Sequence, residues 1–437
     1  MSLAHRLAPL AVALCLVLAG CGAGPSDGTA TEPTDAESPA AADTPAATDD
    51  PNQTATPTGT DTPAEPANRS DGGGGNETAA YSVQVQNGTL PFDANRTLVR
   101  TQSLLGTDVA PRPVRIQNLS EWRRTLPRIG ASPLNAALGF ENVSVNWSQP
   151  TGATRGTGYV AIHPGAGAPG ATERVLAHEF THMVQYQANQ LPWLDRFRTE
   201  RVLTDQAKVY RALQEGAAVF TADVYADRYL DVQNNSAFVR EQYDQGGASY
   251  QSALAPYLFG SQYVAQQVDT PANLTAVYQN PPRTTEQLLH NYTRAEEPEA
   301  NLTVTTTETG ANWRFLGNNT LGELTVRHSL GTELSRDRAT AAATGWGSDE
   351  LHVFQNTSAV DRYGWAWIFQ WDNSDEADEA AAALEEYESI RETDQGVDFE
   401  TRRIGDETTA LVFGDPQFVE AASVDGTAAN VTVAVGS

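Results

Sequence analysis

Residues 175–184, VLAHEFTHMV, constrain this chain more than any other stretch. Val175, Leu176, Phe180, Met183 and Val184 recur at helical spacing, so segment 173–190 reads as a helix. The residues flanking its two histidines are uncharged and mostly apolar, which predicts that the helix is buried. His178 and His182 stand four apart, on one face and one turn from each other, so both imidazoles can reach a single ion. Glu179 points to a neighbouring part of the surface, where it can act on a water without being a ligand. The chemistry that needs this arrangement is zinc-dependent hydrolysis. The ion lowers the pKa of water to about 7, and the carboxylate takes the proton as the water attacks a carbonyl. The chain holds only 7 histidines, so the spacing is not a by-product of a histidine-rich composition.

A catalytic zinc needs a third protein ligand and one open position. Both cysteines, Cys15 and Cys21, lie in the first stretch, so a metal in the body must be held by His, Asp, Glu or water. The best candidate is Glu215, in LQEGAAVF, 33 residues after His182 (215 − 182) on a second helix over 205–229. A turn around Asn189 and Pro192 can bring the two helices antiparallel. Glu200 is nearer, but its setting, RTERV, reads as a solvated loop.

H-E-x-x-H followed on a later helix by E-G-x-A resembles the gluzincins, the thermolysin and aminopeptidase N group of zinc peptidases. The resemblance covers roughly residues 80–295. It implies an α+β fold with a small sheet and active-site helices, Zn2+ held by His178, His182 and Glu215, and Glu179 as general base in peptide-bond hydrolysis. The histidine-to-glutamate spacing is longer than the commonest aminopeptidase arrangement, which an insertion over 191–204 explains. A third helical stretch, 255–267, carries Pro256-Tyr257-Leu258-Phe259-Gly260, loosely similar to the segment where aminopeptidase-type gluzincins place their transition-state tyrosine. Tyr257 would donate to the oxyanion; Tyr250 and Tyr263 are its stand-ins, and a packing role explains Tyr257 nearly as well. In gluzincins an edge strand before the active-site helix pairs with substrate backbone. The strand 158–163, GYVAIH, stands in that place, and the sequence does not say which strand is at the edge. His163 and His290 read as structural. There are also departures. No G-A-M-E-N run is present, which puts strict aminopeptidase action in doubt. Val219 stands where thermolysin-type enzymes carry an aspartate, with Asp223 one turn further on. No glycine and third histidine follow His182 at metzincin spacing.

The first residues read as an address. An apolar run over 7–19 follows Arg6 and is too short to span a bilayer comfortably, so it reads as the core of a signal peptide. Leu18-Ala19-Gly20-Cys21 resembles the lipobox of prokaryotic lipoproteins, which implies lipidation of Cys21 and anchorage at the extracellular face of the cell membrane. Residues 22–79 are Thr, Pro, Ala, Asp, Glu and Gly with almost no large apolar side chain, and read as a disordered stalk. Sequons at Asn52, Asn76, Asn118, Asn146, Asn273 and Asn430 are candidate glycan sites. The net charge of −27 argues against nucleic acid as a partner. Many acids beside a single lysine, Lys208, resemble the proteins of salt-loving archaea. The expected partners are therefore a protein or peptide substrate and, through the lipid, the membrane.

Strands are read at 83–85, 143–147, 157–163, 351–355 and 365–371, and a further helix at 375–391. A composition change over 296–308 suggests a catalytic domain over 80–295 and a small α+β domain over 300–437. Trp346, Trp365, Trp367 and Trp371 read as core, with a carbohydrate-binding platform as the rival. Against the peptidase stands a catalytically inactive surface binding or structural protein with a gluzincin-like fold.

Overall fold

The structure is a computed structural model that describes residues 82–118, 120, 132–140, 143, 148–308, 310, 312–392, 396–427 and 429–436. The signal peptide, the stalk, Cys21, Asn52, Asn76, Asn146 and most of the strand expected at 143–147 lie outside the described residues. What is described is α+β.

The chain first builds β1 (Val85–Gln86), α1 (Ala94–Leu105), β2 (Val114–Ile116), α2 (Pro133–Ala137), β3 (Thr151–Arg155) and β4 (Tyr159–His163). Their sheet has the order β1-β2-β4-β3. The first three are parallel and β3 runs antiparallel to β4, with Ala153 opposite Ala161. The strand expected from 157 starts at Tyr159, because 157–158 belong to the turn that returns from β3. β4 is interior, paired on both sides, and among the described residues β1 and β3 are the edges. The candidate strand 158–163 is therefore not the edge.

Helices follow: α3 (Pro169–Gln187), α4 (Arg196–Thr199), α5 (Thr204–Tyr229), α6 (Asn235–Gln245), α7 (Ala248–Gln267), a 3-10 turn (Pro271–Asn273), α8 (Leu274–Gln279) and α9 (Thr285–His290). Every residue of α3 from Thr172 to Gln185 is buried. Val175, Leu176, Phe180 and Met183 pack with Val114, Val160 and Ile162 of the sheet, which turns the histidines to the other side. α3 and α5 run antiparallel. Gln185 meets Gln214, His182 meets Glu215 and Glu173 meets Tyr225, so residue numbers fall along one helix as they rise along the other. The insertion between them folds inward: Leu191 and Trp193 are buried, and Trp193 stacks on Tyr210 with ring centroids 4.9 Å apart.

The helix expected from residue 255 begins seven residues earlier (255 − 248). Proline removes a backbone donor and ordinarily ends a helix. Here Leu254, Ala255, Tyr257 and Leu258 around Pro256 are all buried in one apolar cluster, and that packing carries the helix through.

The remainder is β5 (Thr303–Glu308), β6 (Trp313–Asn319), α10 (Glu323–Leu330), α11 (Arg336–Ala343), β7 (Trp346–Asn356), β8 (Tyr363–Trp371), α12 (Ser374–Arg391), β9 (Asp398–Arg403), β10 (Thr408–Gly414), α13 (Pro416–Ala421), β11 (Ala422–Thr427) and β12 (Asn430–Val435). An antiparallel sheet, β6-β7-β8-β10-β9, lies beside a smaller one, β11-β12-β5. Strand periodicity sorts β8 between two cores. Trp365, Trp367, Phe369 and Trp371 face helical residues such as Val326, Ala380 and Leu384. Ala366 and Ile368 face Val424, Val431 and Val433 of the smaller sheet. Trp346, Trp365, Trp367 and Trp371 are all buried, so they form core and offer no surface platform. The residues on either side of 296–308 belong to one compact unit. Among the described residues no helix is long and apolar enough to cross a membrane.

Candidate metal centre

Three side chains meet where α3 crosses α5. His182 Nε2 lies 3.0 Å from His178 Nε2 and 3.1 Å from Glu215 Oε2, and His178 Nε2 lies 3.5 Å from the same oxygen. Tetrahedral zinc with bonds of about 2.0–2.1 Å places neighbouring ligand atoms about 3.3 Å apart, so the three atoms have the spacing of one face of such a site. The donor set, two imidazoles and a carboxylate, suits zinc as well. All three residues are buried.

The electrostatics fit a shared positive charge. Burial pushes His178 down to about 4, which keeps its imidazole neutral. Burial acts on His182 in the same direction, but the Glu215 carboxylate outweighs it and lifts that imidazole to about 9. Burial opposes ionisation of Glu215, and the two histidines overcome it, holding the carboxyl well below the usual range. A proton and a divalent cation compete for such a cluster.

Gln185, one turn beyond His182, fixes that ring. Its amide nitrogen donates to Gln214 O (3.1 Å) and approaches Tyr278 Oη (2.9 Å), so its oxygen faces His182 Nδ1 at 2.8 Å. That oxygen can only accept, so Nδ1 carries the hydrogen and Nε2 is left with the lone pair. His178 Nδ1 is buried with no hydrogen-bond partner among the described residues.

Glu179 is 1% exposed, and burial pushes its carboxyl up to about 7. Thr154 Oγ1, on the edge strand β3, lies 2.8 Å from Glu179 Oε2 and donates to it. Strand and carboxylate touch closely: a Cβ on Gly152 would come within 2.6 Å of Glu179 Cγ. The Tyr257 ring is 1% exposed and lies nearly parallel to the His178 ring, centroids 6.2 Å apart.

The remaining candidates sort cleanly. Glu200 is exposed and pairs with Arg196. Asp223 accepts from the backbone N–H of Asn235 (2.6 Å) and Ser236 (3.1 Å), holding the start of α6 away from His178, His182 and Glu215. His163 Nδ1 faces Gln117 O at 3.2 Å, and His290 pairs with Glu323. Tyr263 packs in the apolar core around Val264. Gln185, Thr154 and Gly152 were not read from the sequence. Gln185 had a signal, three residues past His182 on the same helix face; the other two had none, since their partner is 25 or more residues away. Two open clefts, of about 510 and 380 Å3, lie around Arg283, Arg294 and Glu299 rather than here.

Residues 313–437, less than half of the chain, match the family profile of a domain of unknown function (DUF8575). Comparison with curated proteins finds no match, and comparison with solved structures finds none.

Proposed function

We propose that the chain is a zinc-dependent peptidase of gluzincin type, lipid-anchored at Cys21 outside the cell. The observation that carries this reading is the convergence of His178, His182 and Glu215 within 4.8 Å of one another, with Glu179 one residue from the first of them. His178, His182 and Glu215 would hold the ion. Bound there, zinc would act as a Lewis acid toward water and a substrate carbonyl. Glu179 accepts a proton from the attacking water and passes it to the leaving amine. Burial favours this exchange, because a carboxyl near 7 takes and returns a proton at little cost. Thr154 keeps the receiving oxygen in place. β3, at the edge of the sheet beside Glu179, is the strand to which an extended peptide would add. Tyr257 is the donor assigned to the oxyanion, and its ring stacks on His178.

One observation favours the second reading, a surface protein that keeps the site without turnover. His178, Glu179, Glu215 and Tyr257 are each no more than 3% exposed. Hydrolysis of an unfolded casein-type substrate by the zinc-loaded chain separates the two. We expect Glu179→Gln to retain zinc and to lower the rate at least about 100-fold. Equal rates for the two forms would remove the mechanism.

A further inference from the structure

A second group of carboxylates lies apart from the zinc ligands. Glu286 on α9, Glu297 in the loop after it and Asp372 at the end of β8 bring one oxygen each within 4.8 Å of the others. Glu286 is 3% exposed, Glu297 is half-buried and Asp372 is exposed. None of the three carboxylates has a hydrogen-bond donor or an ion-pair partner among the described residues. The neighbouring Glu323 makes the contrast. It is fully buried too, yet Arg327 and His290 both pair with it. Among the described residues, cationic groups pair with Glu323 and none pairs with the triad. A buried carboxylate left without partners is costly, and one aimed at two other carboxylates is costlier.

The backbone around the triad is tied down. Gln287 Nε2 donates to Glu297 O at 2.7 Å, which fixes the loop against the helix that carries Glu286. Ala300 N donates to Gly347 O at 3.0 Å, and Asp372 N donates to Gly345 O at 2.9 Å. A helix, the loop that follows it and a distant strand end thus present their oxygens from fixed places. The oxygens run from interior to surface, which leaves one side open to water.

We propose that Glu286, Glu297 and Asp372 bind a divalent cation of the Ca2+ class, joining α9 and its following loop to the end of β8. Oxygen-only ligands are those of a hard cation. Water completes the shell on the open side. The ion joins the chain across the start of the matched family region, since Glu286 and Glu297 precede residue 313 and Asp372 follows it. Burial, together with Glu323, Asp372, Glu297 and Asp205, pushes Glu286 up to about 10, so cation uptake displaces a proton at neutral pH.

The test uses the zinc-loaded full chain, stripped of other divalent ions. Ca2+ binding is followed by calorimetry, and by displacement of Tb3+ emission excited through Trp371, the neighbour of Asp372. We expect one Ca2+ per chain above any weak surface binding. Glu286→Gln and Asp372→Asn should each lower its affinity at least about tenfold and leave zinc content unchanged. Asp372 is exposed, so its variant keeps the test decisive if the Glu286 variant does not fold. Absence of a stoichiometric site, or Ca2+ affinity unchanged in the Asp372 variant, overturns the proposal. Neither result touches the peptidase reading, which hydrolysis and zinc content decide.

Discussion

Gln185 orients His182 without being one of the three converging side chains. Its oxygen sets which ring nitrogen carries the hydrogen, and its nitrogen is anchored on α5 and on Tyr278. Replacing such an orienting group ordinarily costs 10–100-fold in metal affinity, or about 1.4–2.7 kcal/mol. Gln185→Ala should therefore weaken zinc binding by about that factor in competition with a chelator, while His182→Ala removes stoichiometric binding. Unchanged affinity in the Gln185 variant would show that Nδ1 needs no partner. At this scale the sequence discloses what lies along one helix. His178, Glu179 and His182 are legible because helical periodicity alone puts them together. Glu215 is legible as a candidate from its place on the second helix, and the family resemblance adds the ligand role; no local rule joins positions 33 apart (215 − 182). Thr154 and Gly152 reach Glu179 from another element, and only tertiary structure reveals them.

Between elements, the site depends on how closely α5 and α7 approach. A Cβ on Gly216 would stand 2.1 Å from Gly260 C, and one on Gly260 would stand 1.9 Å from Ala212 O. The two backbones are in contact there. Glu215 precedes one glycine by one residue, and Tyr257 precedes the other by three, so this contact sets both side chains beside His178. Within an isolated helix, glycine to alanine stabilises by up to about 1 kcal/mol. Here the clash is with backbone and cannot be relieved by a rotamer, so Gly260→Ala should destabilise by about 1–3 kcal/mol and weaken zinc binding. A thermal melt and a zinc titration check both signs; a rise in melting temperature would contradict the contact. Element types were most legible where patterning was strong, in α3, α5, β7, β8 and α12. β5 and β3 were not read, because TVTTTE and TGATR carry little apolar signal and owe their strand form to the neighbours they pair with.

Over the whole molecule, buried polar groups tie the helices to the sheets beyond residue 300. Asp205, at the start of α5, accepts from Thr285 N (3.1 Å) and Thr285 Oγ1 (2.5 Å). Asp349 in β7 accepts from Leu321 N, Gly322 N, Trp346 Nε1 and Trp367 Nε1 at 2.7–3.2 Å. The composition change over 296–308 marks a change of architecture that other bonds cross: Asp205 N donates to Thr320 O at 3.0 Å and Lys208 Nζ to Thr325 Oγ1 at 2.6 Å. Burial pushes Asp205 up to about 7 and Asp349 up to about 6. A carboxyl raised above its unfolded value holds its proton better when folded, so its contribution is lost as pH rises through the folded value. Loss of solvent pushes Lys208 down to about 8, so it is largely protonated below that pH in either state. With zinc bound and a calcium chelator present, the melting temperature should rise as pH falls from about 8 to about 6.5, and Asp205→Asn should flatten that slope. A slope unchanged by the substitution would show that Asp205 is not one of the groups responsible.

The chain has 8 tryptophans, and Trp313, Trp346, Trp365, Trp367 and Trp371 all lie in the later sheets. Ultraviolet emission from the native chain is thus weighted toward that region, with two indoles donating to one carboxylate. Loosening α3 and α5 by stripping zinc should leave most of this light unchanged, whereas opening the sheets should redden it. Fluorescence and metal content then follow two different parts of the same molecule.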